Sequence, residues 1–307
     1  MKILLDRLNR PEYIFQPLQL YRRLFPHRHV NRKTLENVTL AWGAILQVSP
    51  NETIGSALLK MGLYDLGVTE TLWRLIDRGE ICVDIGANIG YTTSIMASKS
   101  GATGVVYSFE PHPDLYVELN DNIANWHANL NWDHIKSYQI AVSDHSGEGL
   151  LHIPSFFSSN RGTASLVSTD QDNASTDDSI TVKLSTLEEV MKGTNRIDVL
   201  KIDVEGHELE VLSGAAAYLQ KQQIRDVIFE GNDAYPNKVT AYLERHGYVL
   251  FKIQKKLLGP HLAHPSAKDT TSYWEPTNYL ATSEVSRAVQ RMGKKGWASL
   301  KGNMIPH

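Results

Sequence analysis

Two stretches of the chain put carboxylates where a buried strand should end, each beside a glycine. The first runs Ile81-Cys82-Val83-Asp84-Ile85-Gly86-Ala87-Asn88-Ile89-Gly90-Tyr91-Thr92 and reads as a strand, a turn and the first turn of a helix. Ile81, Val83 and Ile85 are β-branched and suit a strand covered on both faces. Asp84 interrupts that apolar run, and a carboxylate there needs donors from the turn or from a ligand. Gly86 and Gly90 let the backbone bend and approach a ligand. The helix after them aims its N–H groups and positive dipole end into the same space. The second stretch, Asp198 to Glu210, carries Lys201, Asp203 and Glu205 at period two, opposite Leu200, Ile202 and Val204. Packing gives a buried strand no reason to hold such residues, so they are candidates to move a proton. His207 has the ordinary pKa nearest neutrality, and Asp203 or Glu205 becomes a base where crowding raises its pKa. The structural alternative is a Lys201–carboxylate network that fixes the turn, with His207 solvated. Asp203, Glu205 and His207 also offer oxygen and nitrogen atoms to a metal. Nothing elsewhere in the chain completes a ligand set, and no metal is expected.

The first stretch fits a nucleotide-type cofactor at the carboxyl end of a parallel strand. A dinucleotide fingerprint asks for glycine where Asn88 and Tyr91 stand. A ligand with a ribose and an amino-acid tail but no phosphates makes no such demand, and S-adenosylmethionine (SAM) is one. Its ribose would be held by Glu110, which ends a second apolar run, Gly104 to Phe109, just before Pro111. The other role open to Glu110 is a carboxylate at the N-terminus of the next helix. After a third strand come Ala141-Val142-Ser143-Asp144. Asp144 would accept the adenine amine, or simply initiate the turn into Ser146-Gly147. At the end of a fifth strand Glu230 adds another acid to the same edge. Asn160, Thr163 and Ser165 lie in a glycine-containing stretch that suits either a loop closing over a ligand or an ordinary turn. With Glu230 they are the substrate candidates.

These residues need a sheet to hold them. From Ile81 onward apolar runs alternate with helical patterns, the signature of a parallel sheet with crossovers. Strands are predicted at 81–84, 104–109, 135–142, 199–204, 226–230, 248–253 and 278–282. Helices are predicted near 90–99, 113–127, 185–192, 207–220 and 237–246. An insertion at about 148–183 opens with a hairpin edge, Gly149 to Ile153, and continues into a polar run, Ser168 to Ser179, read as mobile. Two short helices, Thr53 to Lys60 and Thr69 to Asp77, should pack over the cofactor pocket through the connection Gly62-Leu63-Tyr64-Asp65. The chain thus divides into a helical N-terminal extension (1–60, an arm or lid), a cofactor-binding domain (61–285) and a basic tail (286–307). The extension contains the basic stretch Tyr21 to Lys33, whose uses include a solvated arm, a lid and a homodimer contact. The tail holds Arg287, Arg291, Lys294, Lys295 and Lys301 with no acid after Val285, and is read as a solvated or frayed terminus.

The 307 residues carry 31 basic and 34 acidic side chains, a net charge of −3, so nothing global calls for nucleic acid. A single cysteine, Cys82, excludes an intramolecular disulfide and suits a reducing compartment. The N-terminus has too few apolar residues for a signal peptide, and no run is long enough for a membrane span. A cytoplasmic protein is expected.

Taken together, Val83–Tyr91, Phe109–Pro111, Ala141–Asp144, Asn160–Leu166, Lys201–Gly206 and Ile228–Glu230 resemble the FkbM family of SAM-dependent methyltransferases. The likeness covers about 60–285, and Lys201-Ile202-Asp203-Val204-Glu205-Gly206 is its most specific part. It implies a class I methyltransferase fold, a Rossmann-like, doubly wound α/β sheet of seven strands in the order 3-2-1-4-5-7-6, the last strand antiparallel. It also implies methylation of a hydroxyl on a small acceptor such as a sugar, a glycan or a natural product. The family's usual Thr-Leu-Asp stands here as Thr186-Leu187-Glu188, and the first 50 residues match none of its motifs. An NAD-dependent oxidoreductase and a non-catalytic SAM-binding protein are the competing readings, the first opposed by Asn88 and Tyr91.

Overall fold

A strand that is apolar on both faces must be covered on both, and the arrangement around Ile81–Ile85 meets that demand. The computed structural model describes residues 35–166, 179–231, 233–268 and 277–301. The basic stretch Tyr21–Lys33 and all but the last residue of the polar run at 168–179 lie outside the described residues. A hairpin of β1 (Glu36–Thr39) and β2 (Ile45–Val48) leads into α1 (Thr53–Met61) and α2 (Leu66–Leu75). Then β3 (Ile81–Ile85), α3 (Tyr91–Ser100), β4 (Val105–Phe109), α4 (Pro113–Leu130) and β5 (Ile135–Tyr138) alternate. A second sheet follows from β6 (Ala141–Ser143), β7 (Gly147–His152), β8 (Ser165–Leu166) and β9 (Ser179–Thr186). The chain continues through α5 (Leu187–Val190), β10 (Ile197–Ile202), α6 (Glu208–Ser213), α7 (Ala216–Gln220), β11 (Ile224–Gly231) and α8 (Lys238–Arg245). It ends with β12 (Val249–Lys256), β13 (Gly259–Ala263), β14 (Thr277–Thr282) and α9 (Val285–Met292).

The main sheet has the order β5-β4-β3-β10-β11-β14-β12-β13. Its first seven members reproduce the class I methyltransferase order, with β14 antiparallel to both neighbours. An eighth strand, β13, extends the edge as a hairpin with β12. The core divides between the two faces of this sheet. One cluster joins the β1–β2 hairpin with Leu72, Ile95, Trp126 and Met292, and the other gathers Leu187, Val211, Leu219 and Leu243.

Four expectations change. The extension expected to be helical begins, where described, as a hairpin, because Val38, Leu40, Trp42, Ala44, Leu46 and Val48 are buried at strict period two. The third strand splits, Ile135–Tyr138 staying in the main sheet while Ala141–Ser143 pairs with β9. The helix predicted at 207–220 breaks at Gly214, where a Cβ would lie 2.0 Å from the Ser143 carbonyl oxygen. The tail, expected to be frayed, folds back as α9: Arg291 pairs with Asp77 at 2.6 Å, Arg287 with Asp226 at 3.2 Å, and Trp297 is fully buried. Its basic residues found their acids far away in the sequence. No helix among the described residues is long and apolar enough to cross a membrane.

Candidate active site

Strand register gathers the acidic residues at one rim. Lys201 stands beside Asp84 in the β10–β3 ladder, Phe109 pairs with Ile85, and Ile202 pairs with Phe229. Gly86, Glu110, Asp203 and Glu230 are therefore the next residues out on four adjacent strands. The chain leaves β3 for β4 on one side and reaches β10 on the other, so this rim is the switch point where open α/β sheets bind ligands.

Asp84 is fully buried and is satisfied as a carboxylate there must be. Its Oδ2 accepts from the hydroxyls of Thr92 and Thr93 at 2.7 and 2.6 Å, and Lys201 Nζ lies 3.4 Å from Oδ1. Lys201 also donates to the Gly86 carbonyl at 2.9 Å and pairs with Asp203 at 3.3 Å. Burial alone would lower the Lys201 pKa, but Asp203 and Asp84 outweigh it and hold the ammonium charged. Gly86 is irreplaceable on two counts: φ is +74°, and a Cβ would sit 1.9 Å from the Asp203 carbonyl oxygen. Asn88, also at positive φ, donates its N–H to Glu110 Oε2 at 2.8 Å, and His112 N–H reaches Oε1 at 2.9 Å. Burial pushes the Glu110 carboxyl up to about 7 against the pull of those two N–H groups. Helix α3 begins at Gly90 with no side-chain cap, leaving its first N–H groups for a ligand.

Over this rim lies a cavity of about 380 Å³. Gly86, Ala87, Asn88, Tyr91, Thr92, Glu110 and Pro111 line one end; Lys201, Asp203, Glu205, His207 and Glu230 line the other. The roof comes from α1, α2 and the Leu63–Asp65 connection, as the sequence led one to expect, and Ile140, Ala141 and Val142 add an apolar side. At the second end the carboxyls of Glu205 and Glu230 have no hydrogen-bond or ion-pair partner among the described residues. Burial pushes Glu205 up to about 7, with Asp203 and Glu208 adding to the shift. Glu230 rises to about 8 through burial and the charges of Asp203 and Glu205. His207 is different: its Nε2 lies 2.9 Å from the Ser143 hydroxyl, and burial lowers its pKa.

Several sequence candidates are placed elsewhere. Asp144 is solvent-exposed and pairs with His145 at 2.6 Å, Ser143 turns to His207, and neither lines the cavity. Of the insertion residues Asn160 lines it, whereas the Thr163 hydroxyl bonds back to the Asn160 carbonyl and Ser165 belongs to the β7–β8 pairing. Gly90 packs against α4, where a Cβ would meet Leu119 at 2.8 Å. The Tyr91 hydroxyl bonds to Thr69 at 2.9 Å. Wall residues not singled out from sequence include Arg161, Lys255 and Asn278. Arg161 is held by Glu118 at 2.7 Å and reaches Glu52 at 3.9 Å, both distant in sequence. No local pattern marked these three. Among the described residues no group of three His, Cys, Asp or Glu side chains is arranged to hold a metal ion.

Residues 84–250, more than half of the chain, match the Methyltransferase FkbM domain. The chain belongs to the FkbM methyltransferase family. It is similar to the hexuronic acid methyltransferase AglP of Haloferax volcanii, 29% identical over 201 residues that span 60% of this chain and 74% of that protein. The methyltransferase sdnD of Sordaria araneosa is 31% identical over 159 residues, 43% of this chain and 59% of the relative. Among solved structures, methyltransferase FkbM from Methylobacillus flagellatus aligns with a TM-score of 0.43 at 14% identity, over 68% of this chain and 47% of that one. A SAM-dependent O-methyltransferase from Thermotoga maritima aligns at 0.42 and 11%, over 77% and 72%. These scores are low, and the fold assignment rests on the strand order and the family match.

Proposed function

We propose that this FkbM-family protein is a SAM-dependent O-methyltransferase acting on a hydroxyl of a small acceptor, with Glu205 as the general base. The carrying observation is the single cavity that joins the Gly86–Thr92 turn and Glu110 at one end to the unpartnered Glu205 and Glu230 at the other. Each Glu110 oxygen already accepts one backbone N–H and keeps a lone pair toward the cavity, which suits a ribose diol. The uncapped start of α3 suits the ligand's carboxylate, and Ile140–Val142 suit its flat base. Bound there, the cofactor supplies an electrophilic methyl group on a sulfonium. The protein's remaining work is to orient the acceptor and take one proton.

Three groups compete for that proton. Asp203 is engaged with Lys201, and His207 with Ser143. Glu205 is unpartnered and loses its proton near pH 7, while Glu230 stays protonated until about 8. At neutral pH the pair offers one acceptor and one donor to an incoming hydroxyl. The similarity to a hexuronic acid methyltransferase supports a sugar acceptor. The test is calorimetric titration with SAM, S-adenosylhomocysteine and NADH, followed by mass detection of methyl transfer to a panel of sugars and hexuronates. Binding of the first two and not NADH is expected. NADH binding alone overturns the reading.

A further inference from the structure

The cavity wall formed by residues 61–69 is held from behind by the C-terminal segment. Leu63 and Leu66 form a separate apolar cluster with Trp297 and Leu300, and Leu66 and Trp297 are fully buried. Beside it Glu70, wholly buried on α2, accepts from Ala298 N at 2.9 Å, Ser299 N at 2.8 Å, the Ser299 hydroxyl at 2.6 Å and Arg74 Nε at 2.6 Å. The Arg74 guanidinium then donates to the carbonyls of Arg291, Met292, Lys294 and Gly296. Those carbonyls, at and beyond the end of α9, lack helical partners of their own. A charged residue with so many aligned partners is fixed in place. Glu70 and Arg74 thus bolt the C-terminal segment to the same helix whose first residues line the cavity.

Tyr64 sits between the two faces of that wall. Its ring lies edge-on to Tyr91 at 6.4 Å, and its backbone carbonyl accepts from Thr69. Its phenol lines the cavity and has no hydrogen-bond partner among the described residues. Burial and the charges of Asp203, Asp65, Glu230 and Glu205 keep that phenol protonated, so it faces the acceptor end as a donor. Cavity-side contacts leave its position open, and what backs it decides where it stands.

We propose that the C-terminal segment completes the acceptor end of the site, with Trp297 and Glu70 as positioning residues that set Tyr64 and Asp65 against Glu205 and Glu230. This rests on the reading of the cavity as the site of methyl transfer. A misplacement of about 1 Å in a positioning contact costs on the order of a hundredfold in rate, so a support on the far side of the wall is part of the site's geometry. The Gly86–Thr92 turn, by contrast, makes no contact with the Trp297–Leu63 cluster.

The test is ¹⁹F NMR of the full chain labelled with 3-fluorotyrosine, Tyr64→Phe assigning the Tyr64 resonance. Trp297→Ala should move or broaden that resonance by more than its linewidth, Trp297→Phe should restore it, and S-adenosylhomocysteine affinity by calorimetry should stay unchanged. An unmoved Tyr64 resonance overturns the proposal. So does a parallel loss of S-adenosylhomocysteine affinity, because the segment would then support the whole domain and not the acceptor end. If Trp297→Ala does not fold, Leu300→Ala, a smaller deletion in the same cluster, is read by the same criteria. Wild-type protein that fails to bind S-adenosylhomocysteine sinks the functional reading instead, and leaves the Tyr64 signal to report on the support.

Discussion

The two ends of the cavity are built from the same kind of residue and finished differently. At the turn end, Asp84 and Glu110 are carboxylates whose oxygens meet hydroxyls, backbone N–H groups or Lys201. At the far end, Glu205 and Glu230 meet only one another's charge and that of Asp203. A satisfied carboxylate fixes a loop, and its stability is spent in holding one shape for one ligand. An unsatisfied one is destabilising in the free protein and is tolerated where a partner arrives later. The contrast separates a rigid cofactor end from an acceptor end kept ready for chemistry.

The sharpest way to break that contrast is Glu205→Gln. If Glu205 is the base, turnover should fall by about 10²- to 10⁴-fold, with S-adenosylhomocysteine affinity retained. An activity loss under threefold would return the role to Asp203 or His207. Next comes Gly86→Ala, which places a methyl group 1.9 Å from the Asp203 carbonyl oxygen at a positive φ. About 3 kcal/mol or more of stability should be lost, together with cofactor binding; denaturant unfolding and calorimetry read the two. Glu110→Ala leaves the N–H groups of Asn88 and His112 without their acceptor. About 2 kcal/mol should go, and S-adenosylhomocysteine should bind at least tenfold more weakly.

The fourth effect is smaller and depends on pH. The folded-state pKa values of Glu205 and Glu230, about 7 and about 8, lie above the ordinary 4.5. Between 4.5 and those values the folded protein binds more protons than the unfolded chain, so stability falls as pH rises through that window. Glu230→Gln removes one of the two groups, and should flatten the decline between pH 7 and 8 in urea unfolding curves. It should also keep activity at pH 7, where Glu230 is already protonated. The smallest effect belongs to His207→Ala: with its ring engaged by Ser143, turnover should change only a few-fold. A hundredfold loss there would make the histidine the base after all.

Much of the sheet was legible before any coordinates, because its signals are local. The apolar runs ending in Asp84, Glu110 and Glu230 each terminate a parallel strand within two residues of the expected place. The β1–β2 hairpin carries an equally clear alternation from Val38 to Val48 that the sequence reading passed over. The Asp144 assignment failed for a different reason. The third strand changes sheets between Tyr138 and Ala141, which turns its end away from the cavity, and a one-strand prediction across 135–142 hides that switch.

The sequence by itself determined the parallel α/β alternation, the glycine turn and the strand-end acids, since strand period and backbone freedom are properties of neighbouring residues. Only the tertiary structure decided which acids are spent and which are free. Asp203 and Glu205 stand two residues apart in the same motif, yet Lys201 neutralises the first and leaves the second bare. The tertiary structure also decided that a basic tail is no tail: Arg287 and Arg291 lie more than 200 residues from Asp77. Charge compensation acts through space, and a chain lists its charges without saying which will meet.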